Sequence, residues 1–280
     1  MADFSDLKGK VAVITGGGGV IGLALARGLG NAGVTVVILD ISDERGNAAA
    51  EKVSADTGCQ AAGLGADVTD KPSLIKARDE IMKRFGTIDI LINCAGGNKP
   101  TATTGKEFIM SGDKELAGTF FGLDIAGFDG VFDLNFRGTV LPSMVFTEEM
   151  VRRGKGIVLN ISSMNAFRPL TKIPAYSAAK AAINNFTQWL AVHFAPSGVR
   201  VNAIAPGFLL TNQNRFLLTD EKTGEMTPRG KKIIAATPMG RYAEPDELVG
   251  TMLYLLSDIS SFVTGVVIPV DGGFSAYSGV

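Results

Sequence analysis

The sequence has few of the residues that build disulfide frameworks and metal centres. Its 280 residues include two cysteines, Cys59 and Cys94, and one histidine, His193. This pair of cysteines fits neither a disulfide scaffold nor a zinc spacing, and it favours a reducing compartment. No acid or cysteine stands at ligand spacing from His193. We therefore expect a histidine packed in a helix or an interface, and no metal site.

An excess of charge and long apolar runs are also lacking. Lys+Arg 27 against Asp+Glu 28 gives a net charge of −1, which provides no general attraction to nucleic acid or anionic membrane. The uncharged stretch 11–26 is too short and too glycine-rich for a membrane span, and residues 1–10 lack the apolar core of a signal peptide. We predict a soluble, cytoplasmic protein without nucleic-acid or membrane partners.

Short apolar runs alternate with longer amphipathic stretches, as in βαβ units with a parallel sheet. The predicted strands are 11–15, 35–40, 60–66, 88–93, 157–161, 199–205 and 265–270. The predicted helices are 22–31, 44–56, 71–85, 128–152, 174–194 and 244–257. This order predicts an α/β fold: a single doubly wound, Rossmann-type domain over 1–280, with about seven strands and helices on both faces. Two polar excursions, 96–124 and 207–238, are expected to wall a substrate pocket.

A glycine-rich turn joins the first predicted strand to the first predicted helix. Residues 15–22 read TGGGGVIG, in which Gly17, Gly19 and Gly22 match the spacing G-x-G-x-x-G. Glycines allow a pyrophosphate to approach the backbone closely, and the following helix offers unpaired N–H groups. The turn predicts a dinucleotide site, although such a turn alone is often only a turn.

Asp40 ends the second predicted strand, where a carboxylate can accept both ribose hydroxyls of an adenosine. A carboxylate in this position repels a 2′-phosphate, and the glycine turn contains no Lys or Arg. We therefore predict NAD as the cofactor in preference to NADP. The alternative for Asp40 is an acid that stabilises the N-terminus of the next helix.

Tyr176 and Lys180 are one turn apart on the same face of a predicted helix. A phenol titrates near about pH 10, and a fixed ammonium beside it lowers its pKa toward neutrality. Such a pair alone is usually a solvated helix face. Ser163 ends a predicted strand, where active-site residues of parallel sheets collect. Asn135 is an amide inside a predicted helix, where a packing role is the alternative.

Taken in order, these motifs resemble the short-chain dehydrogenase/reductase family over nearly the whole chain. The shared motifs are residues 15–22, Asp67-Val68, Asn93-Cys94-Ala95-Gly96, Asn135-Phe136-Arg137-Gly138, Ser163, Tyr176-xxx-Lys180, Pro206-Gly207 and Thr211. The chain departs from the family pattern at Val20, which replaces a glycine of the turn, and at Cys94, which replaces an asparagine. We expect Cys94 to be a small buried residue and not a reactive thiol.

The resemblance implies a catalytic tetrad and a cofactor site. Tyr176 would be the general acid/base, Lys180 would lower its pKa and bind the nicotinamide ribose, Ser163 would bind the substrate oxygen, and Asn135 would hold a relay water. The implied cofactor residues are Gly16, Gly18, Gly19, Val20, Ile21, Gly22, Asp40, Asp67, Val68, Asn93, Ala95, Gly96, Tyr176, Lys180, Pro206, Gly207, Leu209 and Thr211. The resemblance also implies a homotetramer or homodimer that pairs through helices 128–152 and 174–194.

The two excursions and the loop after Ser163 carry amides and cations. These suit a hydroxylated, anionic substrate better than an acyl chain. The candidate substrate residues are Asn98, Asn165, Arg168, Lys172 and Arg215. Each of them alone also fits a solvated surface. Segments 162–167, 186–194 and 271–280 resemble the family's D-mannonate oxidoreductases, also called fructuronate reductases, which implies reduction of D-fructuronate by NADH to D-mannonate.

Two other functions remain open from the sequence. One is a different enzyme of the family, either a sugar or polyol dehydrogenase or a 3-oxoacyl reductase. The other is a non-catalytic, NAD-sensing protein on the same fold, since fold alone does not fix function. The polar excursions argue against the acyl reductase. The presence of all four tetrad residues argues against the sensor.

Overall fold

The short apolar segments form one parallel sheet, which the computed structural model describes together with its flanking helices for residues 4–210, 218 and 225–279. The sheet order is β3-β2-β1-β4-β5-β6-β7, and every neighbouring pair is parallel. The strands are β1 Val11–Thr15, β2 Thr35–Asp40, β3 Ala61–Gly65, β4 Ile90–Asn93, β5 Gly156–Ile161, β6 Val199–Pro206 and β7 Val267–Val270. The predicted α/β fold with seven strands is confirmed.

Helices cover both faces of this sheet, and each face has its own apolar core. The helices are α1 Val20–Asn31, α2 Asp43–Thr57, α3 Lys71–Phe85, α4 Ile125–Phe132, α5 Gly138–Phe146, α6 Glu148–Arg153, α7 Pro174–Phe194, α8 Pro228–Ala235 and α9 Val249–Leu256. The strand order reverses between β1 and β4, and ligands of open α/β sheets bind at the carboxyl ends beside such a reversal.

Local signals in the sequence fix several helix ends. The Asp70 carboxylate caps α3 by accepting from the Ser73 N–H at 3.0 Å, and Gly86, with φ 76°, ends it. Pro174 occupies the first turn of α7, where its missing N–H costs nothing. Because caps and prolines act locally, the sequence could predict 71–85 and 174–194 at the observed bounds.

The predicted continuous helix 128–152 is wrong. The segment instead runs through α4, a π-helical turn over Asp133–Arg137, then α5 and α6. Three hydroxyl side chains in α5 and just beyond it, those of Thr139, Ser143 and Thr147, donate to the carbonyl four residues earlier at 2.6–2.8 Å. Hydroxyls bonded in this way compete with the helical ladder and bend helices.

The polar excursions differ from each other in the structure. Residues 96–124 contain only the short 3₁₀ turns Pro100–Ala102 and Phe120–Gly122, as expected for a long polar segment. The excursion 207–238 contains α8, which the sequence analysis missed because its apolar face is only two turns long. The predicted helix 244–257 begins as the 3₁₀ turn Pro245–Leu248 and continues as α9.

Across the described part of the chain, no helix has the length and apolar character that crossing a membrane requires.

Gly63 of β3 lies where α2 packs closest to the sheet. A Cβ at this position would lie 2.1 Å from the Gly46 carbonyl carbon. We expect Gly63→Ala to lower the free energy of unfolding by about 1–3 kcal/mol, because backbone must move to admit the methyl group. The methyl group that Gly250→Ala adds to α9 would meet no atom within 4 Å. This substitution should raise the free energy of unfolding by up to about 1 kcal/mol. Denaturant unfolding measures both, and equal effects would contradict the proposed crowding.

Candidate active site

An open cleft of about 490 Å³ lies at the carboxyl ends of β1, β2 and β4, and we call it the cofactor cleft. Its walls come from the glycine turn, the end of β2, the start of α2 and the segments that follow β3 and β4. The lining residues are Gly16, Gly19, Val20, Ile21, Gly22, Asp40, Ile41, Arg45, Ala66, Asp67, Val68, Cys94, Ala95, Gly96 and Leu134.

The glycine turn directs unpaired backbone donors toward this cleft. The Leu23 N–H is the first in α1 to bond within the helix, to the Gly19 carbonyl at 2.9 Å. The N–H groups of Val20, Ile21 and Gly22 therefore remain for a ligand, as at any helix N-terminus. The structure thus indicates which donors replace those of the family's usual turn, in which a glycine stands at the position of Val20.

Two glycines leave room that a side chain would fill. Gly16 has φ 61°, and a Cβ there would lie 2.7 Å from the Ala95 Cα. A Cβ on Gly22 would lie 2.6 Å from the Gly16 carbonyl oxygen. The turn after β1 can therefore pack closely against its neighbours and against the start of α1 only because both positions are glycine. Together with the free N–H groups, this cradle fits the pyrophosphate of a dinucleotide.

The Asp40 carboxylate is fixed at the end of β2. One oxygen accepts from the Gly18 N–H at 3.1 Å, and the other accepts from the Ile41 N–H at 2.9 Å. Arg45, in the first turns of α2, donates to the same carboxylate at 2.7 Å. The sequence favoured NAD partly because the glycine turn contains no Lys or Arg. The structure shows that a cation is nevertheless present at the site, because Arg45 reaches it from the next helix.

Several predicted cofactor residues are placed outside the lining. The Gly18 N–H binds Asp40, so Gly18 positions that carboxylate. Asn93 is buried behind the cleft, where its amide donates to Asn160 at 2.8 Å and to the Ser143 hydroxyl at 3.0 Å. Leu209 is buried beside Ala243. The contacts of these three residues are with packed side chains and backbone, and their part in cofactor binding stays a prediction. Thr211 and Arg215 lie outside the described residues.

The catalytic pocket, of about 140 Å³, adjoins the cofactor cleft and shares Ile21, Cys94 and Gly96 with it. Ser163, Tyr176 and Lys180 line it, as do Pro206 and Gly207. Ser163 follows β5, and the other two side chains lie on the same face at the start of α7. The structure therefore brings these predicted catalytic residues together.

Burial controls the protonation of the catalytic pocket. It raises the pKa of the half-buried Tyr176 phenol, with a smaller opposing effect from Ser163. It also lowers the pKa of the Lys180 ammonium to about 8, because loss of water favours the neutral form. The lowered Tyr176 pKa expected from Lys180 is not found. The Lys180 Nζ donates to the Ile161 carbonyl at 2.8 Å and lies 5.5 Å from the centre of the Tyr176 ring.

Cys94 lines both the cofactor cleft and the catalytic pocket. Burial raises the pKa of its thiol to about 11, although the charge of Lys180 opposes the shift. A thiol with this pKa stays protonated at neutral pH, and only the thiolate is a good nucleophile. The expectation that Cys94 is unreactive therefore agrees with its surroundings.

Asn135 is buried in the π-helical turn. Its amide group donates to the Gly97 and Val131 carbonyls at 2.7 and 2.8 Å, and its oxygen accepts from the Gly97 N–H at 3.2 Å. This pairing fixes the backbone between the cofactor cleft and the catalytic pocket, where a Cβ on Gly96 would lie 2.6 Å from the Asn135 oxygen. Asn135 is thus a positioning residue, and its role in a water relay stays a prediction.

A further cavity of about 230 Å³, which we call the outer chamber, shares Ser163, Tyr176 and Gly207 with the catalytic pocket. Its other lining residues are Met164, Asn165, Leu170, Ile173, Phe208, Leu218, Arg229 and Ile233. The chamber is smaller than the roughly 300–1,000 Å³ of pockets for drug-sized ligands. It therefore suits a small molecule whose reacting group meets Ser163 and Tyr176.

The predicted substrate residues only partly reach this chamber. Asn165 lines it. Asn98 is exposed and donates to the Thr103 hydroxyl at 2.9 Å, and Arg168 donates to the Ser275 carbonyl at 3.1 Å. Lys172 is absent from the lining described here and has a positive φ of 75°. The expected polar wall is found only in part: among the described residues, Asn165 and Arg229 lie beside aliphatic side chains of α8 and of the loop after Ser163.

The described residues contain no group of three or more His, Cys, Asp or Glu side chains that could hold a metal ion. His193 stacks on Trp189 with ring centres 4.9 Å apart. This stacking agrees with the expected histidine packed in a helix, and a place for His193 in an interface stays a prediction.

Comparisons with known proteins agree with this geometry. A family model described as enoyl-(acyl carrier protein) reductase matches residues 18–275. The chain is 50% identical over 277 residues to an uncharacterized oxidoreductase, UxuB, of Bacillus subtilis, and the match covers 98% of each chain.

Two crystal structures have similar folds. A Haemophilus influenza protein, provisionally named a D-mannonate oxidoreductase and solved with bound NAD, is 49% identical with a TM-score of 0.92 and 98% coverage of both chains. A xylitol dehydrogenase solved with NAD⁺ is 30% identical with a TM-score of 0.83, covering 95% of this chain and 99% of that one. Both structures hold a dinucleotide, which is the ligand class that the cofactor cleft fits.

Replacing Asp40 by alanine should weaken the binding of NADH and favour NADPH. The change removes the acceptor for ribose hydroxyls and releases the Arg45 guanidinium, which suits a 2′-phosphate. We expect the Kd for NADH to rise about tenfold, the order for a hydrogen bond to a charged group, in a fluorescence titration. Glu44→Ala, an exposed acid in the same helix, is the matched control. An unchanged ratio of NADH to NADPH affinity in Asp40→Ala would remove Asp40 from cofactor recognition.

Proposed function

Because the chain belongs to the short-chain dehydrogenase/reductase family, we propose that it is an NAD(H)-dependent oxidoreductase that interconverts a ketone and a secondary alcohol on a sugar acid. The reaction we propose is reduction of D-fructuronate by NADH to D-mannonate. One observation carries the proposal: Ser163 and Tyr176 stand between a cleft that fits a dinucleotide and a small chamber that fits the substrate.

The residues of the chain handle the proton of this reaction. The Tyr176 phenol is protonated at neutral pH, since burial raises its pKa, so it can give its proton to the oxygen of the reduced carbonyl. The Ser163 hydroxyl, on the same wall, binds that oxygen and orients it. The charged form of Lys180 stabilises the phenolate left behind. A bound nicotinamide would supply the hydride, while the protein provides position and charge.

NAD is favoured over NADP by the Asp40 carboxylate at the edge of the cofactor cleft. Arg45 is already bound to that carboxylate at 2.7 Å, so its charge is largely neutralised by an acid within the site. An added 2′-phosphate would have to compete with Asp40 for Arg45, whereas two ribose hydroxyls would find an acceptor. The NAD-bound structures of the relatives agree with this preference.

The proposed substrate rests on the similarity to the Haemophilus influenza protein and on the small outer chamber. A sugar or polyol dehydrogenase is the second candidate, favoured by the fold shared with xylitol dehydrogenase. The aliphatic part of the chamber wall keeps a 3-oxoacyl reductase as a further alternative. A protein that only senses NAD would not turn over any of these substrates.

The rate of NADH oxidation, measured separately with D-fructuronate, with D-xylulose and with a 3-oxoacyl thioester, distinguishes these functions. We expect D-fructuronate to give the highest kcat/KM, and a higher rate with NADH than with NADPH. A preference for either other substrate would replace the proposed reaction, and no turnover of any would favour the sensor.

Tyr176→Phe should abolish turnover and keep NADH binding, because only the phenolic hydroxyl is lost. Residual activity above about a tenth of the wild-type rate would refute the role of Tyr176 as the acid, since general acid catalysis contributes about 10²–10⁴-fold. Fluorescence titration with NADH checks that the cofactor cleft of the variant is intact.

Reduction of the ketone should slow as the pH rises through about 8, the pKa of Lys180. Below this pH the ammonium is charged and stabilises the developing phenolate. Above it, the neutral amine does not, and kcat/KM should fall about tenfold per pH unit. Initial rates from pH 6 to 10 give the profile. A profile flat to pH 10 would mean that the charge of Lys180 is not needed.

We also propose that the chain forms a homotetramer or a homodimer. Aromatic rings of the described residues form a series of contacts along α4, the π-helical turn and α7: Phe128, Phe132, Phe136, Phe186, Trp189 and His193. Trp189 is 57% exposed and Val192 is 78% exposed, which leaves apolar surface that a second copy would cover. Light scattering at micromolar concentration should detect the oligomer, and a monomer would contradict it.

A further inference from the structure

The outer chamber has one charged residue in its described lining, Arg229 of α8. The sequence analysis did not single it out, because it lies in an excursion with several other cations. The start of α8 is held in place on two sides. The Thr227 hydroxyl accepts from the Gly230 N–H at 3.0 Å, and the Tyr242 hydroxyl donates to the Gly230 carbonyl at 3.1 Å. These two hydrogen bonds fix the backbone next to Arg229 at the rim of the chamber.

The cations around this rim have different partners. Lys232, one turn further along α8, donates to the Glu107 carboxylate at 3.0 Å and holds the pKa of Glu107 below its usual value. Arg168 is bound to the Ser275 carbonyl. The charge of Arg229 also acts on Glu107, but none of the ion pairs within 4 Å among the described residues involves the Arg229 guanidinium, which lines the chamber.

A second polar group in the chamber also has unused hydrogen-bonding capacity. The Asn165 side chain is 4% exposed, and its amide oxygen has no hydrogen-bond partner. A buried acceptor without a partner costs free energy, and most are satisfied by protein, water or ligand. A hydroxyl of a bound molecule would satisfy this oxygen close to Ser163, which precedes Asn165 in the same turn.

We propose that Arg229 binds the carboxylate of the substrate and that Asn165 accepts a hydrogen bond from one of its hydroxyls. This inference rests on the proposed function, and it adds how the acid is recognised. The ketone lies against Ser163 and Tyr176, and the carboxylate lies at the rim formed by α8. A guanidinium suits this role because its paired N–H groups match the two oxygens of a carboxylate. The ligand class is thus a short, hydroxylated keto acid.

Comparing two substrates distinguishes recognition of the carboxylate from recognition of the rest of the molecule. D-Fructuronate and D-fructose carry the same ketone, but D-fructose has a hydroxymethyl group in place of the carboxylate. Arg229→Gln should raise the KM for D-fructuronate about 10- to 100-fold, the range for a lost hydrogen bond to a charged group. The rate with D-fructose and the KM for NADH should not change, since neither ligand needs the guanidinium.

Lys231→Gln is the matched control. It makes the same change of charge in the same helix, but Lys231 is exposed and lies outside the described chamber lining. Arg229→Lys keeps the charge and loses the paired geometry, so its KM should fall between those of the wild type and Arg229→Gln. Circular dichroism compares the folding of all three variants.

The possible failures are distinguishable. If the wild type reduces D-fructuronate and Arg229→Gln has the same KM as Lys231→Gln, the role of Arg229 is overturned and the proposed reaction stands. If Arg229→Gln impairs the reduction of D-fructuronate and of D-fructose by the same factor, Arg229 supports the fold of the chamber and does not recognise the carboxylate. If the wild type reduces no keto sugar acid, the proposed function fails and this inference fails with it.

Asn165 is tested in the same assay. Asn165→Ala removes the acceptor and should raise the KM for D-fructuronate and D-fructose by a similar factor, because both carry the hydroxyls. An effect confined to D-fructuronate, or no effect on either KM, would overturn the proposed contact. The NADH titration again serves as the check on the cofactor cleft.

Discussion

The buried ammonium of Lys180 is the contact on which the geometry of the candidate site depends. Its hydrogen bond to the Ile161 carbonyl joins α7 to the end of β5 and so helps to hold the helix that carries Tyr176 against the strand that leads to Ser163. A buried cation needs such partners, because desolvation otherwise favours its neutral form. The same burial that fixes the helix also lowers the pKa of Lys180 to about 8.

The other walls of the site follow from close backbone approach. At Gly16 and Gly22 the turn after β1 lies so close to neighbouring backbone that a side chain would not fit. On the opposite side of the cleft, Asn135 binds the backbone of Gly97. The cofactor cleft, the catalytic pocket and the outer chamber share their border residues. One side of the catalytic pocket thus adjoins the cleft that fits a dinucleotide, and the other side adjoins the outer chamber.

Sequence reasoning succeeded where the signal is local or periodic. The strands of the sheet, the bounds of α3 and the spacing of Tyr176 and Lys180 are readable in this way, since each depends on neighbours within a few residues. It failed in the segment 128–152, where hydroxyl groups bonding back to the helix and a π-helical turn break a pattern that remains apolar. It also failed for Arg229, because nothing in the residues around it indicates which cation of an excursion faces a cavity.

The sequence by itself determined the parallel α/β sheet, the glycine turn and the residues available for proton transfer, because hydrophobic periodicity, glycine and helical spacing act over short stretches of chain. The tertiary structure decided which of these residues meet. It brought Arg45 to Asp40, and it buried Lys180 and half-buried Tyr176 so that their pKa values moved. It also placed Arg229 instead of Arg168 or Lys172 beside the outer chamber. Burial and the approach of distant segments arise only when the whole chain is packed.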